Sequence, residues 1–141
     1  MRLLALDIGE RRIGIAISES GILATPHSVL LRKSKKEDFA RLQQLIIDLK
    51  IGRVIVGLPY SLSALEQIGP QARRIRRYAE ELAQTIAIPL EYFDESYSTV
   101  DAAAYLAESK RKKVPLDAAA AAVILQNYLD TQKPELSSGV G

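Results

Sequence analysis

Strict alternation near the N-terminus constrains this chain more than any other feature. Ile13, Ile15 and Ile17 alternate with Gly14, Ala16 and Ser18, the two-residue period of a strand with one buried face. The apolar run Leu3–Leu6 precedes it, and the connecting DIGERR segment holds Gly9 and polar residues, so the two runs read as a β-hairpin. Gly21 marks another turn, and Ser28–Arg32 is expected to add a third strand, making an antiparallel meander. A sheet therefore opens the fold, and the rest of the chain must cover it.

Beyond the meander the hydrophobic period changes. Phe39, Leu42, Leu45, Ile46 and Leu49 share one helical face between Lys35 and Lys50, with Gly52 as the expected stop. The β-branched run Arg53–Leu58 ends at Pro59 and reads as a buried strand, followed by a loop over Tyr60–Gly69. Pro70 suits the first turn of a helix that turns Ile75, Tyr78, Leu82 and Ile86 inward. Leu90–Asp94 is a further short strand. Ser98 and Asp101 form a capping pattern ahead of a helix over Asp101–Ser109, then comes a basic loop over Ser109–Val114. Pro115 opens a last helix through Leu129. The order β-β-β-α-β-α-β-α-α predicts an α/β fold with a mixed five-stranded sheet, three antiparallel strands and then β-α alternation, flanked by helices. The 141 residues are the size of one domain, expected over 1–130, with 131–141 as a flexible tail.

Composition restricts the chemistry. With no cysteine there is no disulfide framework, thiolate zinc site or cysteine nucleophile, and with His27 as the one histidine there is no multi-histidine metal site. His27 itself reads as structural or incidental. A metal would have to be held by oxygen, which favours Mg²⁺ or Mn²⁺. The longest apolar runs are too short to span a bilayer, and Asp7 comes too early for a signal-peptide core, so a cytoplasmic protein without a membrane partner is expected. A net charge of +2 permits a polyanionic partner without requiring one.

Three acids stand at element ends. Asp7 closes the first strand in LALDIG, where it could form a turn or face a cleft from a rigid position. Glu95 follows the strand ending FDES; its neighbour Asp94 leaves the strand in the opposite direction, so only one of the two shares a side with Asp7. Asp117 lies in the first turn of the last helix, where complementing the helix dipole would explain it. The run Ala118–Ala122 adds a second meaning, because five small residues let that helix approach the sheet closely. Together the three acids could hold two cations that activate water and stabilise the leaving oxygen of a phosphodiester. Two basic clusters accompany them: Arg73, Arg76 and Arg77 on one helical face beside Arg74, and Lys110, Arg111, Lys112 and Lys113 just before Asp117. Arg11 and Arg12 lie beside Asp7. Each cluster alone could be a solvated surface, but around a carboxylate site they favour a nucleic-acid partner. Tyr60, Tyr92 and Tyr97 read as packing residues.

Five segments, ALDIGERRIGIAISE (5–19), VIVGLPYS (54–61), GPQARRIRRYAEEL (69–82), FDESYST (93–99) and LDAAAAAVILQNYLD (116–130), resemble the YqgF family of pre-16S rRNA nucleases, related to RuvC resolvases. The resemblance covers nearly the whole chain and implies an RNase H-like fold and divalent-metal-dependent cleavage of structured nucleic acid. It makes Asp7 the first-strand carboxylate, Glu95 the fourth-strand acid and Asp117 the last-helix acid of the site. The implied substrate is pre-rRNA, at the 5′ end of 16S rRNA, or branched DNA at a four-way junction, the latter calling for a homodimer rather than a monomer. Two departures stand out. Ser96 occupies a position where the family reads Arg, and the loop after GLP reads YSLSALEQIG in place of its usual Asn and Gly. Two other readings remain open: a non-catalytic nucleic-acid-binding protein in ribosome assembly or transcription, and an actin-like phosphotransferase suggested by D-x-G-x-x-x-x-G, which would need a second domain.

Overall fold

The structure is a computed structural model and describes residues 1–59, 69–96 and 98–132. Five strands, β1 (Arg2–Ile8), β2 (Arg12–Ser18), β3 (Thr25–Leu31), β4 (Ile51–Leu58) and β5 (Leu90–Asp94), form one sheet in the order β3-β2-β1-β4-β5. The first three pair antiparallel, whereas β4 joins β1, and β5 joins β4, in parallel. The helices are α1 (Lys35–Asp48), α2 (Pro70–Ala83), α3 (Ala102–Arg111) and α4 (Leu116–Gln132). This is the mixed α/β sheet expected from the sequence, with β1 at its centre.

Strand alternation sorts the core into two layers. Leu4, Leu6 and Ile8 of β1 pack with Ile13 and Ile15 of β2, Val54, Val56 and Leu58 of β4, and the inward faces of α1 and α2. Leu3 and Ala5, one residue out of phase, pack with Ala16, Ile55 and Phe93 against α4. On that second face the sheet offers small residues, and α4 answers with the buried Ala118, Ala119, Ala121 and Ala122. The helix consequently lies very close to β2. A Cβ on Gly14 would collide with the carbonyl oxygen of Asp117. Helix α3 packs on the outside of α4.

Several boundaries differ from expectation, each for a local reason. Strand β3 begins at Thr25, not Ser28, because its pairing with β2 continues through an irregularity near Ala16. The stop after α1 is Lys50, in the left-handed region at φ 55°, while Gly52 lies inside β4, where a Cβ would press on the Met1 side chain. Ile86 lies beyond the end of α2 yet still packs on the core. Asp101 caps α3 itself, accepting from the Ala104 amide at 3.1 Å, and Ser98 instead donates to the Val100 carbonyl. Lys110 and Arg111 belong to the last turn of α3 rather than to a loop, and Thr131 and Gln132 continue α4 into the expected tail. The rest of that tail, the loop expected over Tyr60–Gly69 apart from Gly69, and Tyr97 lie outside the described residues. No helix among the described residues is long and apolar enough to cross a membrane.

Candidate active site

The α4 side of the sheet brings the three acids to one end of the fold. Asp7 is the next residue after Ala5 on that face of β1, and its cross-strand partner is Gly14. Because Gly14 has no side chain, the first turn of α4 rests directly on it, which sets Asp117 beside Asp7. Strand β4 runs parallel on the other side of β1 and places Gly57 one step beyond the Leu6–Val56 pair. Glu95 follows β5, held by a 2.9 Å hydrogen bond from its amide to the Leu58 carbonyl. Its Oε1 lies over Gly57, 2.8 Å from where a Cβ would stand. Two glycines, one on each strand flanking β1, thus make the space the carboxylates occupy.

Electrostatics ties the acids together in pairs. Burial, reinforced by the charge of Asp117, raises Asp7 from 3.8 to about 6. Burial, with Asp7 and then Asp94 as neighbouring charges, raises Glu95 from 4.5 to about 7. Asp7 is therefore the common member, coupled to Asp117 on one side and to Glu95 on the other. No described side chain hydrogen-bonds or ion-pairs with any of the three. Among the described residues, no group of three His, Asp or Glu side chains is gathered closely enough to hold a metal ion as it stands. Asp94 acts locally instead, its Oδ1 accepting from the Ser96 amide at 2.8 Å and closing the turn after β5. Ser96 is exposed at that turn. Glu95 also borders a pocket of about 180 Å³ between β5, α3 and α4, lined by Phe93, Leu106, Val123 and Asn127 among others.

The basic residues divide by location. Arg11 and Arg12 are exposed at the β1–β2 turn, beside Asp7. The α2 arginines do not act as one face. Arg73 is exposed, Arg76 approaches Glu80 at 3.5 Å and covers the Tyr92 ring at 5.3 Å, and Arg77 looks into a cleft on the opposite side of the sheet from the acids. Arg74, Arg32 and Lys35 share that cleft, which the sequence did not reveal because its walls come from three separate elements. In the second cluster Arg111 binds Glu108, Lys112 lies 3.8 Å from the same carboxylate, and Lys110 and Lys113 are exposed. His27 is exposed on β3, with its Nδ1 2.8 Å from the Ser28 hydroxyl. Tyr92 is a packing residue, half-buried against the core.

Comparison with known proteins adds an independent line. Residues 1–131 match the family described as "RuvX: Holliday junction resolvase". A protein of Thermoanaerobacter pseudethanolicus named "Putative pre-16S rRNA nuclease" is 41% identical over 140 residues, covering 94% of this chain and 99% of its own. One of the same name from a Synechocystis species is 36% identical, covering 96% and 91%. Among solved structures, Thermus thermophilus RuvC in complex with a Holliday junction substrate aligns with a TM-score of 0.65 at 12% identity, covering 94% of this chain and 95% of its own. The fowlpox virus Holliday junction resolvase aligns at 0.56 and 12% identity, covering 94% and 100%. At those identities the structural likeness is one of fold, and the fold is that of the RuvC-like resolvases.

Proposed function

The chain belongs to the RuvX family, a family of nucleases, and from that premise we propose that it is a divalent-cation-dependent endonuclease acting at the 5′ end of pre-16S rRNA. The observation that carries the site assignment is the pairwise coupling of Asp7 with Asp117 and with Glu95, on the face where two glycines leave them room. Residues 1–130 would be the catalytic domain, in a cytoplasmic protein.

The donor set fits a hard divalent cation, Mg²⁺ or Mn²⁺. All three side chains are carboxylates, none is neutralised by a described partner, and Asp7 sits on β1, Asp117 in the first turn of α4 and Glu95 in the turn directly after β5. Asp7, Glu95 and Asp117 would together hold it. Bound cations would supply Lewis acidity, polarising water for attack and offsetting charge on the leaving oxygen. The residues of this chain supply the rest. The main chains of Asp7 and Glu95 are held by backbone hydrogen bonding to neighbouring strands, which keeps both carboxylates at the same end of the sheet. Asp117 is fixed by the contact of its own main chain with Gly14. Arg11 and Arg12, with Lys110, Arg111, Lys112, Lys113, Arg73 and Arg76 farther out, would hold the phosphates of the substrate around the cut, whereas Arg77 opens onto the opposite face of the sheet and takes no part there.

Replacing Asp7 with Asn tests the assignment. The amide keeps the size of the side chain and removes its charge, and cleavage of a precursor-rRNA substrate with Mg²⁺ or Mn²⁺ should fall by about a thousandfold or more. Unchanged cleavage by a folded Asp7→Asn protein rejects it. The family description and the fold also support a second reading, resolution of four-way DNA junctions. That activity needs paired cuts and hence two copies of the chain acting together. Cleavage of a synthetic junction alongside precursor rRNA, with the oligomeric state measured in the same buffer, separates the two.

A further inference from the structure

A second basic site lies at the same end of the sheet as the acids, on the opposite face. Asp7 faces α4, whereas the next residue, Ile8, faces α1 and α2. There the β1–β2 turn, the start of α1 and the first half of α2 enclose a cleft of about 420 Å³. Four cations line it, Arg32, Lys35, Arg74 and Arg77, against one acid, Glu10. Two of them are partly balanced: Arg74 lies 3.6 Å from Glu10, and Lys35 lies 2.5 Å from Glu81. The other two have no carboxylate partner among the described residues. Arg32 is half-buried, fixed by a 2.7 Å hydrogen bond to the Gly9 carbonyl and stacked at 4.3 Å on the Tyr78 ring. Arg77 is exposed at the rim.

We propose that this cleft holds backbone phosphates of a single-stranded flank of the substrate, one that leaves the catalytic acids and passes over the β1–β2 turn. The inference rests on the nuclease reading above and specifies its substrate. The excess of cations calls for an anion. The Tyr78 ring is covered by Arg32, so the described residues of the cleft offer phosphate contacts and no free aromatic face for a base. The path determines the strandedness. Asp7 and Ile8 are adjacent, so only the sheet itself, on the order of 10 Å with its side chains, separates the two sites. A strand joining them must turn around the sheet end within a few nucleotides. A duplex, with a persistence length of about 150 base pairs, resists that bend, whereas a single strand makes it freely. Arg11 and Arg12 stand on the turn between the sites, where such a strand would cross.

The experiment compares two RNA substrates with the same duplex and the same cut, one carrying a ten-nucleotide single-stranded flank and one blunt. For each, KM and kcat are measured for the wild-type protein and for Arg74→Gln/Arg77→Glu. The wild type should take the flanked substrate with a KM about tenfold lower, and the double variant should lose that advantage through KM, with kcat unchanged. The same labelled flank, measured by fluorescence anisotropy with no divalent ion added, reads the cleft whether or not the protein cleaves. The double variant should bind it about tenfold more weakly, and the slope of log K against log salt should fall by about 0.7 for each phosphate that is no longer neutralised. Equal KM changes on flanked and blunt substrates, or unchanged binding of the flank, overturn the proposal. Wild-type binding of the flank without cleavage of either substrate would count against the nuclease reading and leave the cleft standing.

Discussion

A carboxylate that burial pushes toward neutral pH destabilises the fold once it ionises, and this chain has two such groups side by side. Asp7 is raised to about 6 and Glu95 to about 7, from ordinary values near 4. Between those limits the folded protein holds protons that the unfolded chain has released, so stability falls as pH rises from about 4 to about 7 and then levels off. Other carboxylates contribute to the pH profile, but the pair can be isolated by replacing both with their amides. In chelator, the melting temperature of Asp7→Asn/Glu95→Gln should equal that of the wild type near pH 4 and exceed it by pH 8. After discounting for partial solvent access, the gain is about 1–3 kcal/mol, or roughly 5–10 °C. A difference that is the same at pH 4 and pH 8 would mean that the two acids do not share a charged, buried environment. Replacing catalytic acids should therefore make the protein more stable while removing its activity.

Helix α4 decides whether the acids meet. The sequence made the helix and its run of alanines plain, and the hydrophobic periods showed the succession of strands and helices along the chain, because both signals are local. Asp7, Glu95 and Asp117 were legible as acids at element ends. Other features were not legible, because they depend on what lies across the sheet. Gly14 and Gly57 look like ordinary strand glycines in sequence, yet each leaves room for something specific, the main chain at Asp117 in one case and the Glu95 carboxylate in the other. The basic residues of α2 looked like one cluster at helical spacing, but Arg76 is engaged with Glu80 and Tyr92, while Arg77 joins residues from two other elements. The two glycines respond differently to the same change. In Gly14→Ala the new methyl meets main chain, so α4 must lift from the sheet; we expect a loss of about 1–3 kcal/mol and a sharp fall in cleavage at a temperature where the variant remains folded. In Gly57→Ala it meets the ends of the Glu95 and Ile124 side chains, which can rotate; stability should fall less, while cleavage still drops because Glu95 is displaced. Thermal melts and cleavage rates for both variants check the ordering, and a Gly14→Ala protein with unchanged stability would refute the close approach of α4.

At the scale of the whole molecule, the carboxylate end of the sheet carries acids that no described side chain pairs with, and the surrounding turns and helix ends carry positive charge. A nuclease needs this division, since its cations and its polyanionic substrate must be attracted to adjacent but separate places. It also links cation binding to global stability. A ligand that binds only the folded chain stabilises it by RT ln(1 + [L]/Kd), about 2.7 kcal/mol when present at a hundred times Kd, or roughly 10 °C in melting temperature for a chain of this size. Mg²⁺ or Mn²⁺ should produce such a shift in the wild type and not in Asp7→Asn. Because Asp7 and Glu95 keep their protons up to about pH 6 and 7, the cation must displace them below that range. The stabilisation should therefore be small at pH 5, grow steeply toward pH 7 and flatten above it. Calorimetric titration at pH 6 should register proton release as a heat that changes with the ionisation enthalpy of the buffer. The sequence of effects, protons leaving, the cation entering and the melting temperature rising, requires one group of acids that is both buried and shared. A cation that stabilises Asp7→Asn as much as the wild type, or releases no protons at pH 6, would place the metal elsewhere on the surface and separate the three acids from catalysis.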